Sequence, residues 1–246
     1  MASSINASIT SSGIVQTADA SGNLVLQGNG TTGLTIDNTG KVLLPNIALA
    51  GTASVGMLEY NGTAPYFTPQ GTQRGVVPGM QYYVLNSGLT GTQATTGQNW
   101  LGVGVTLSSN TVYAFEAWFA MSKSAGTTAH SISALFAGTA TVNSINYFMD
   151  TTSNSNTSLS TGITTSTLYS QTASATVFTG VGLQGNPVAA TSRLKGFVSI
   201  NTGGTFIPQY LLSAAPGGTW TVAAGSYMLI YPIGAAGGNI SVGTWA

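Results

Sequence analysis

The sequence predicts an all-β protein: an N-terminal extended β-stem followed by a C-terminal β-sandwich of the jelly-roll kind. Three observations predict it. Apolar residues alternate with polar ones at a period of two, as in strands that bury one side. Gly-, Ser- and Asn-rich turns cut the chain into many short segments, the spacing of a sandwich or jelly roll. No stretch carries a sustained apolar stripe at helical period, so helices are not expected.

Residues 1–55 hold short apolar sets separated by Gly and Asn. Gly22-Asn23-Leu24-Val25-Leu26-Gln27, Gly33-Leu34-Thr35-Ile36-Asp37-Asn38 and Gly40-Lys41-Val42-Leu43-Leu44-Pro45 each read as a Gly turn and a short strand. They form an imperfect internal repeat. Such strands bury too little surface alone and gain stability when stacked, or when wound with two other copies. A fibrous β-stem is therefore expected. Residues 56–76 form a hairpin junction. Val55-Gly56-Met57-Leu58-Glu59-Tyr60 and Pro65-Tyr66-Phe67-Thr68 flank Asn61-Gly62, a hairpin signal. Thr68-Pro69-Gln70-Gly71 is a further turn.

Residues 77–246 read as one sandwich, with strands expected at 81–85, 100–107, 111–121, 131–136, 144–149, 175–183, 193–200, 205–212 and 226–231. The Ser/Thr/Asn-rich stretch 151–162 is expected to be an exposed loop, and Gly102-Val103-Gly104 to lie within a strand. The strand at 111–121 organises the rest. Tyr113, Phe115, Ala117, Phe119 and Met121 fall on one face. Val112, Ala114, Glu116, Trp118 and Ala120 fall on the other, which is apolar except for Glu116. A strand apolar on both sides must be covered on both sides. One cover is the second sheet; the other is expected to be a neighbouring copy of the chain. Ala114, Glu116, Trp118 and Ala120 are therefore the candidate self-association residues. A monomeric sandwich would place polar residues at 114, 118 and 120.

Composition narrows the function classes. Charged residues are 4% of the 246, with five basic and five acidic side chains cancelling to zero; ordinary domains carry roughly 25%. That balance argues against nucleic acid, which needs a basic footprint, and against a polybasic membrane contact. It suits an obligate oligomer or a particle component, whose sticky surface is already used. With no Cys, disulfides and thiolate metal sites are excluded. No apolar run approaches the length of a spanning helix; residues 227–236 come nearest but contain Pro232 and Gly234. Met1-Ala2-Ser3-Ser4 has neither a basic residue nor an apolar core, unlike a signal peptide. Synthesis in a cytoplasm and delivery by assembly are expected, without membrane insertion.

The acids Asp19, Asp37, Glu59, Glu116 and Asp150 are scattered, and His130 is the one histidine. No G-x-S-x-G elbow supports a Ser–His–Asp triad, and His130 is expected at the surface or an interface. Asp150 with Asn154 and Asn156 is the only local oxygen cluster, read as turn capping rather than a hard-cation site. The Gly-rich stretches lack the Lys of a phosphate loop. No catalytic residue, cofactor or metal is expected. Glu116 would be costly if buried alone. It either pairs with Arg193, Lys195 or His130, from this subunit or another, or it points to solvent. Tyr82, Tyr83, Trp100, Tyr147, Tyr169, Tyr210 and Trp220 could form a receptor surface, with core packing the better account for most.

The opening Ser4-Ile5-Asn6-Ala7-Ser8, followed by Gly13-Ile14-Val15-Gln16-Thr17-Ala18-Asp19-Ala20-Ser21-Gly22-Asn23-Leu24, resembles the N-termini of tailed-bacteriophage fibre and virion-surface proteins. So does Gly33-Leu34-Thr35-Ile36-Asp37. Gly56-Met57-Leu58-Glu59-Tyr60-Asn61-Gly62 with Tyr66-Phe67-Thr68 is similar to a phrase that often precedes the distal domain in such proteins. The last two-thirds look, in layout alone, like the trimeric jelly-roll heads of C1q and tumour-necrosis-factor domains: an aromatic strand at 113–119, a late strand at 197–200 and a terminal apolar strand at 227–231. The resemblance implies a homotrimeric, non-enzymatic phage protein on the virion surface, made in the host cytoplasm. Its N-terminal region would bind other virion proteins, and its head would contact the host, with a surface glycan as the expected partner. The alternative is a capsid decoration protein that stabilises the head. A depolymerase would want paired acids, which the scattered five do not offer.

Overall fold

The computed structural model describes residues 2–7, 15–155, 158–171, 178–183, 188–242 and 245. Among them every regular element is a strand, and no helix is long and apolar enough to cross a membrane. The chain divides into two compact units, Met1–Pro78 with Ser241–Ala246, and Gly79–Ile240.

In the first unit, β1 (Ala2–Ala7), β2 (Val15–Asp19), β3 (Leu24–Gly28), β4 (Thr31–Ile36) and β5 (Val42–Leu43) form one sheet in the order β2-β1-β3-β4-β5. Asn29-Gly30 joins β3 to β4 with φ of 50° and 77°. Positive φ at both central residues matches the turn to the strand twist. Asp37 closes the next turn. Its carboxylate accepts the Lys41 and Thr39 backbone N–H groups and the Thr39 hydroxyl, at 2.9, 2.8 and 2.7 Å. Those bonds, the Lys41 N–H foremost, hold its pKa below the usual carboxylate value.

A second small sheet follows: β6 (Leu58–Tyr60), β7 (Pro65–Gln70) and β8 (Gln73–Val76). The expected Asn-Gly hairpin is its first turn. The Asn61 side-chain oxygen accepts the Thr63 and Ala64 backbone N–H groups at 3.0 and 3.1 Å, and Gly62 takes φ of 85°. Glu59 is buried, which an unpaired carboxylate would not tolerate. It is fully engaged: Arg74 Nε donates to it at 2.8 Å and the Ala50 backbone N–H at 2.7 Å, while Arg74 Nη2 donates to the Ala50 carbonyl at 2.8 Å. These charge-assisted bonds tie β6, β8 and residue 50 together.

The second unit holds β9 (Gln81–Val84), β10 (Leu89–Thr90), β11 (Gln98–Asn99), β12 (Val105–Leu107), β13 (Thr111–Lys123), β14 (His130–Ala137), β15 (Thr141–Ser155), β16 (Ser158–Gln171), β17 (Phe178–Leu183), β18 (Val188–Thr202), β19 (Gly204–Leu212), β20 (Trp220–Val222) and β21 (Tyr227–Ala235). The larger sheet runs β16-β15-β18-β13. Beyond β13 it forks: β21 pairs with its first part and carries β9, and β20 pairs with its last residues and carries β10. The smaller sheet runs β17-β14-β19, with β11 and β12 both on β19. Four antiparallel pairs, β9·β21, β12·β19, β13·β18 and β14·β17, nest early strands with late ones from the outside inward.

The two sheets enclose one core. From β13, Tyr113, Phe115, Ala117, Phe119 and Met121 are buried, facing Ile132, Ala134 and Phe136 of β14 and Phe206 and Tyr210 of β19. Phe136 stacks on Phe206 at 4.4 Å between ring centroids and meets Phe115 edge-on at 5.2 Å; Trp100 stacks on Phe119 at 4.4 Å. Each such side chain contributes roughly 1.5–3 kcal/mol through burial.

Two expectations are corrected here. Residues 151–155 and 158–162 are not loop. They belong to β15 and β16, which pair antiparallel with Thr151 opposite Thr164 and Ser153 opposite Gly162; residues 156 and 157 lie outside the described residues. Thr has strand propensity without hydrophobicity, so apolar periodicity could not reveal them. Gly102-Val103-Gly104 is not strand either. It precedes β12, and Gly102 takes φ of 73°, a turn conformation.

Candidate functional site

The alternation that sends the odd residues of β13 into the core sends the even ones outward. Register then assembles a face. Ala114 lies between Phe197 of β18 and Tyr231 of β21, Glu116 between Lys195 and Leu229, and Trp118 between Arg193 and Tyr227. β9 continues the face with Tyr82 beside Leu229 and Val84 beside Tyr227. On the other side β15 adds Phe148 beside Lys195 and Asp150 beside Arg193.

All four residues expected to mediate self-association stand on this face. Ala114 and Ala120 are half-buried by their neighbours, and Glu116 is half-exposed. Trp118 is 40% exposed, as is Phe197, and Tyr82 is 73% exposed. Among the described residues nothing from the chain's own second sheet covers them, because that sheet packs on the opposite side. Large aromatic side chains left to water in one contiguous surface mark an interaction site in a soluble protein.

The charges on the face neutralise one another. Glu116 meets Lys195 and Asp150 meets Arg193, each at 3.7 Å. The Arg193 guanidinium also lies 5.7 Å from the Trp118 ring centroid, within cation–π reach. These pairs are solvated, and such pairs are typically worth about 0–1 kcal/mol. Their main consequence is electrostatic: the face presents two acids and two bases and does not repel a copy of itself.

Glu116 thus finds one of its three expected partners, Lys195, across the strand pair of its own chain, and it stays partly in water. His130 is not that partner, nor is it at the surface. It opens β14 buried in the second unit, where its Nε2 accepts the Trp220 indole N–H at 2.9 Å. The signal was present: His130 shares parity with Ile132, Ala134 and Phe136 and so points to the core. Asp150 does not cap a turn; it sits mid-strand beside Arg193. The Asn154 side chain and Asn156 lie outside the described residues. Trp100, Tyr147, Tyr210 and Trp220 are core, while Tyr82 and Tyr83 are exposed; the Tyr169 side chain lies outside the described residues. Tyr210 is buried deeply enough to push its phenol up to about 12.

The contributions of Phe148, Phe197, Tyr227, Leu229 and Tyr231 were missed. Each alternates correctly within its own strand, but only the register between strands shows that they share a surface with Trp118. A cleft of about 340 Å³ opens between β9, β21 and β12, lined by Tyr83, Val103, Val105, Met228 and Ile230 among others. Among the described residues there is no group of three or more His, Cys, Asp or Glu that could hold a metal ion. No protein-family model matches the chain, and no curated protein matches it.

Proposed function

We propose that this chain is a non-enzymatic structural protein of a bacteriophage particle, a homotrimeric fibre or spike on the virion surface that mediates host attachment. One observation carries the reading: the outward face of the larger sheet, with Trp118, Phe197 and Tyr82 in water, lacks the cover that such a surface requires. Two further copies supply it. The nested strand pairs support a jelly-roll head, because rolling up one long antiparallel hairpin pairs its strands in that order. In this account residues 1–55 form a β-stem that binds other virion proteins, and the head faces outward. Three weak sites on one stalk then act together, so avidity rather than single-site affinity holds the host surface. A surface glycan is the partner this neutral, aromatic head suits. The protein is made in the host cytoplasm and joins the particle by assembly.

A second reading is favoured by the first unit, where Val42, Leu43, Ile47 and Val55 are exposed. Apolar residues spread along that unit suit a capsid decoration protein that clamps neighbouring capsid subunits. Gold-labelled antibody against residues 79–240, imaged on intact particles, separates the two. Label held away from the particle on a stalk supports the fibre. Label flat on the capsid, with heat-labile particles when the chain is deleted, supports decoration. Unlabelled particles contradict both.

A further inference from the structure

We propose that His130 and Lys123 form an acid-sensitive latch that holds the 124–129 loop against the 213–219 loop at one end of the second unit. The two loops touch backbone to backbone. Gly126 takes φ of 87°, and a Cβ there would run into the Pro216 carbonyl; a Cβ at Gly218 would run into that of Ala125. Such close approach leaves few side chains to fasten the loops, so the residues at their roots must do it. Lys123 ends β13, Trp220 pairs with it at the start of β20, and His130 begins β14.

The hydrogen bonds fix one state of the ring. His130 Nδ1 lies 2.8 Å from the Thr128 carbonyl, which can only accept, so Nδ1 carries the proton. Nε2 accepts from the Trp220 indole, which can only donate. The imidazole is therefore neutral. A second proton on Nε2 would face the indole N–H, donor against donor. Lys123, almost wholly buried, sends its ammonium 2.7 Å to the Gly126 carbonyl, inside the same loop. Among the described residues Lys123 is the charged group facing His130. The nearby Ser131 of β14, Ser213 of the second loop and Trp220 of β20 add no charge. Protonating His130 thus removes the Trp220 bond and sets a second cation beside Lys123, with no carboxylate among the described residues paired with either.

Burial above all, and the Lys123 charge with it, lowers the His130 pKa, partly opposed by the Thr128 bond. Burial lowers that of Lys123 as well. With the latched pKa below the open value of about 6.5, the open form binds more protons between the two. Latch stability is therefore complete above about pH 6.5 and falls as pH drops toward the latched pKa.

Hydrogen exchange of the full chain, corrected for intrinsic rates, tests this. Between about pH 7.5 and pH 5, exchange of the Ser131 and Ser213 amides, which are hydrogen-bonded to each other's residue at the roots of the two loops, should accelerate about tenfold per unit of pH below about 6.5, while β13 and β18 stay protected. His130→Gln keeps an acceptor for Trp220 without a titrating group and should abolish the acceleration. If that variant does not fold, the wild-type Trp220 environment, read as histidine-linked fluorescence quenching over the same range, serves instead. Protection of those two amides independent of pH, acceleration spread over the whole unit, or an unchanged profile in His130→Gln would each overturn the proposal.

Discussion

Trp118→Glu is expected to split the proposed trimer into single subunits while leaving the second unit of each folded. The side chain stands at the middle of the outward face and makes no contact with the inner core, so the substitution adds no strain inside. In a solitary chain a change at such a surface position shifts stability by about 0.5 kcal/mol or less. Across a closed interface it does far more. It removes a large aromatic anchor, of the kind worth about 2 kcal/mol or more per contact, and it strips Arg193 of its ring partner. It also places a third acid beside Asp150 and Glu116, upsetting the neutrality of the face. The milder Trp118→Ser removes only the anchor, and should weaken association about 30-fold per interface. Sedimentation velocity with far-ultraviolet circular dichroism reads both variants. An unchanged oligomer in Trp118→Glu would exclude this face as the interface.

The opposite side of the same strand should respond in the opposite way. Phe115 is 2% exposed, against Phe136 at 5.2 Å, Tyr147 at 6.1 Å and Phe206 at 6.3 Å between ring centroids. Phe115→Ala leaves a cavity that three aromatic neighbours and two hydrogen-bonded sheets cannot collapse to fill, and costs about 3–5 kcal/mol. Urea unfolding at fixed protein concentration should show a lower midpoint with an unchanged slope. Fixing the concentration matters, because association stabilises folded subunits by mass action. A loss below about 1 kcal/mol would mean that the facing sheet packs elsewhere. Taken together, Phe115 and Trp118 would separate what folds the second unit from what gathers the copies in the proposed trimer.

The sequence revealed most where side-chain alternation was strong. Tyr113, Phe115, Ala117, Phe119 and Met121 could be placed in the core, and Ala114, Glu116, Trp118 and Ala120 opposite them, because a strand has a strict period of two. Asn61-Gly62 was legible for the same local reason: an Asn side chain can cap its own turn. What stayed hidden depends on partners distant in sequence. Trp118 and Arg193 are neighbours only because β13 and β18 pair in one register, and no local pattern encodes that. The strand residues 151–155 and 158–162 were missed because Thr and Ser form strands without an apolar signature. His130 shares the inward parity of Ile132, Ala134 and Phe136, but the donor that satisfies a histidine there, the Trp220 indole, lies 90 residues away, and without it a polar residue reads as a surface one.

In the proposed trimer the outward face of the larger sheet is closed by further copies of the same chain. Sedimentation equilibrium of the untagged protein at low micromolar concentration measures this most directly. One species of three times the 24.9 kDa chain mass is expected, persisting on dilution and in moderate salt, since apolar burial rather than charge would hold it. A stable species of single-chain mass, with Trp118 still open to an aqueous fluorescence quencher, would contradict it.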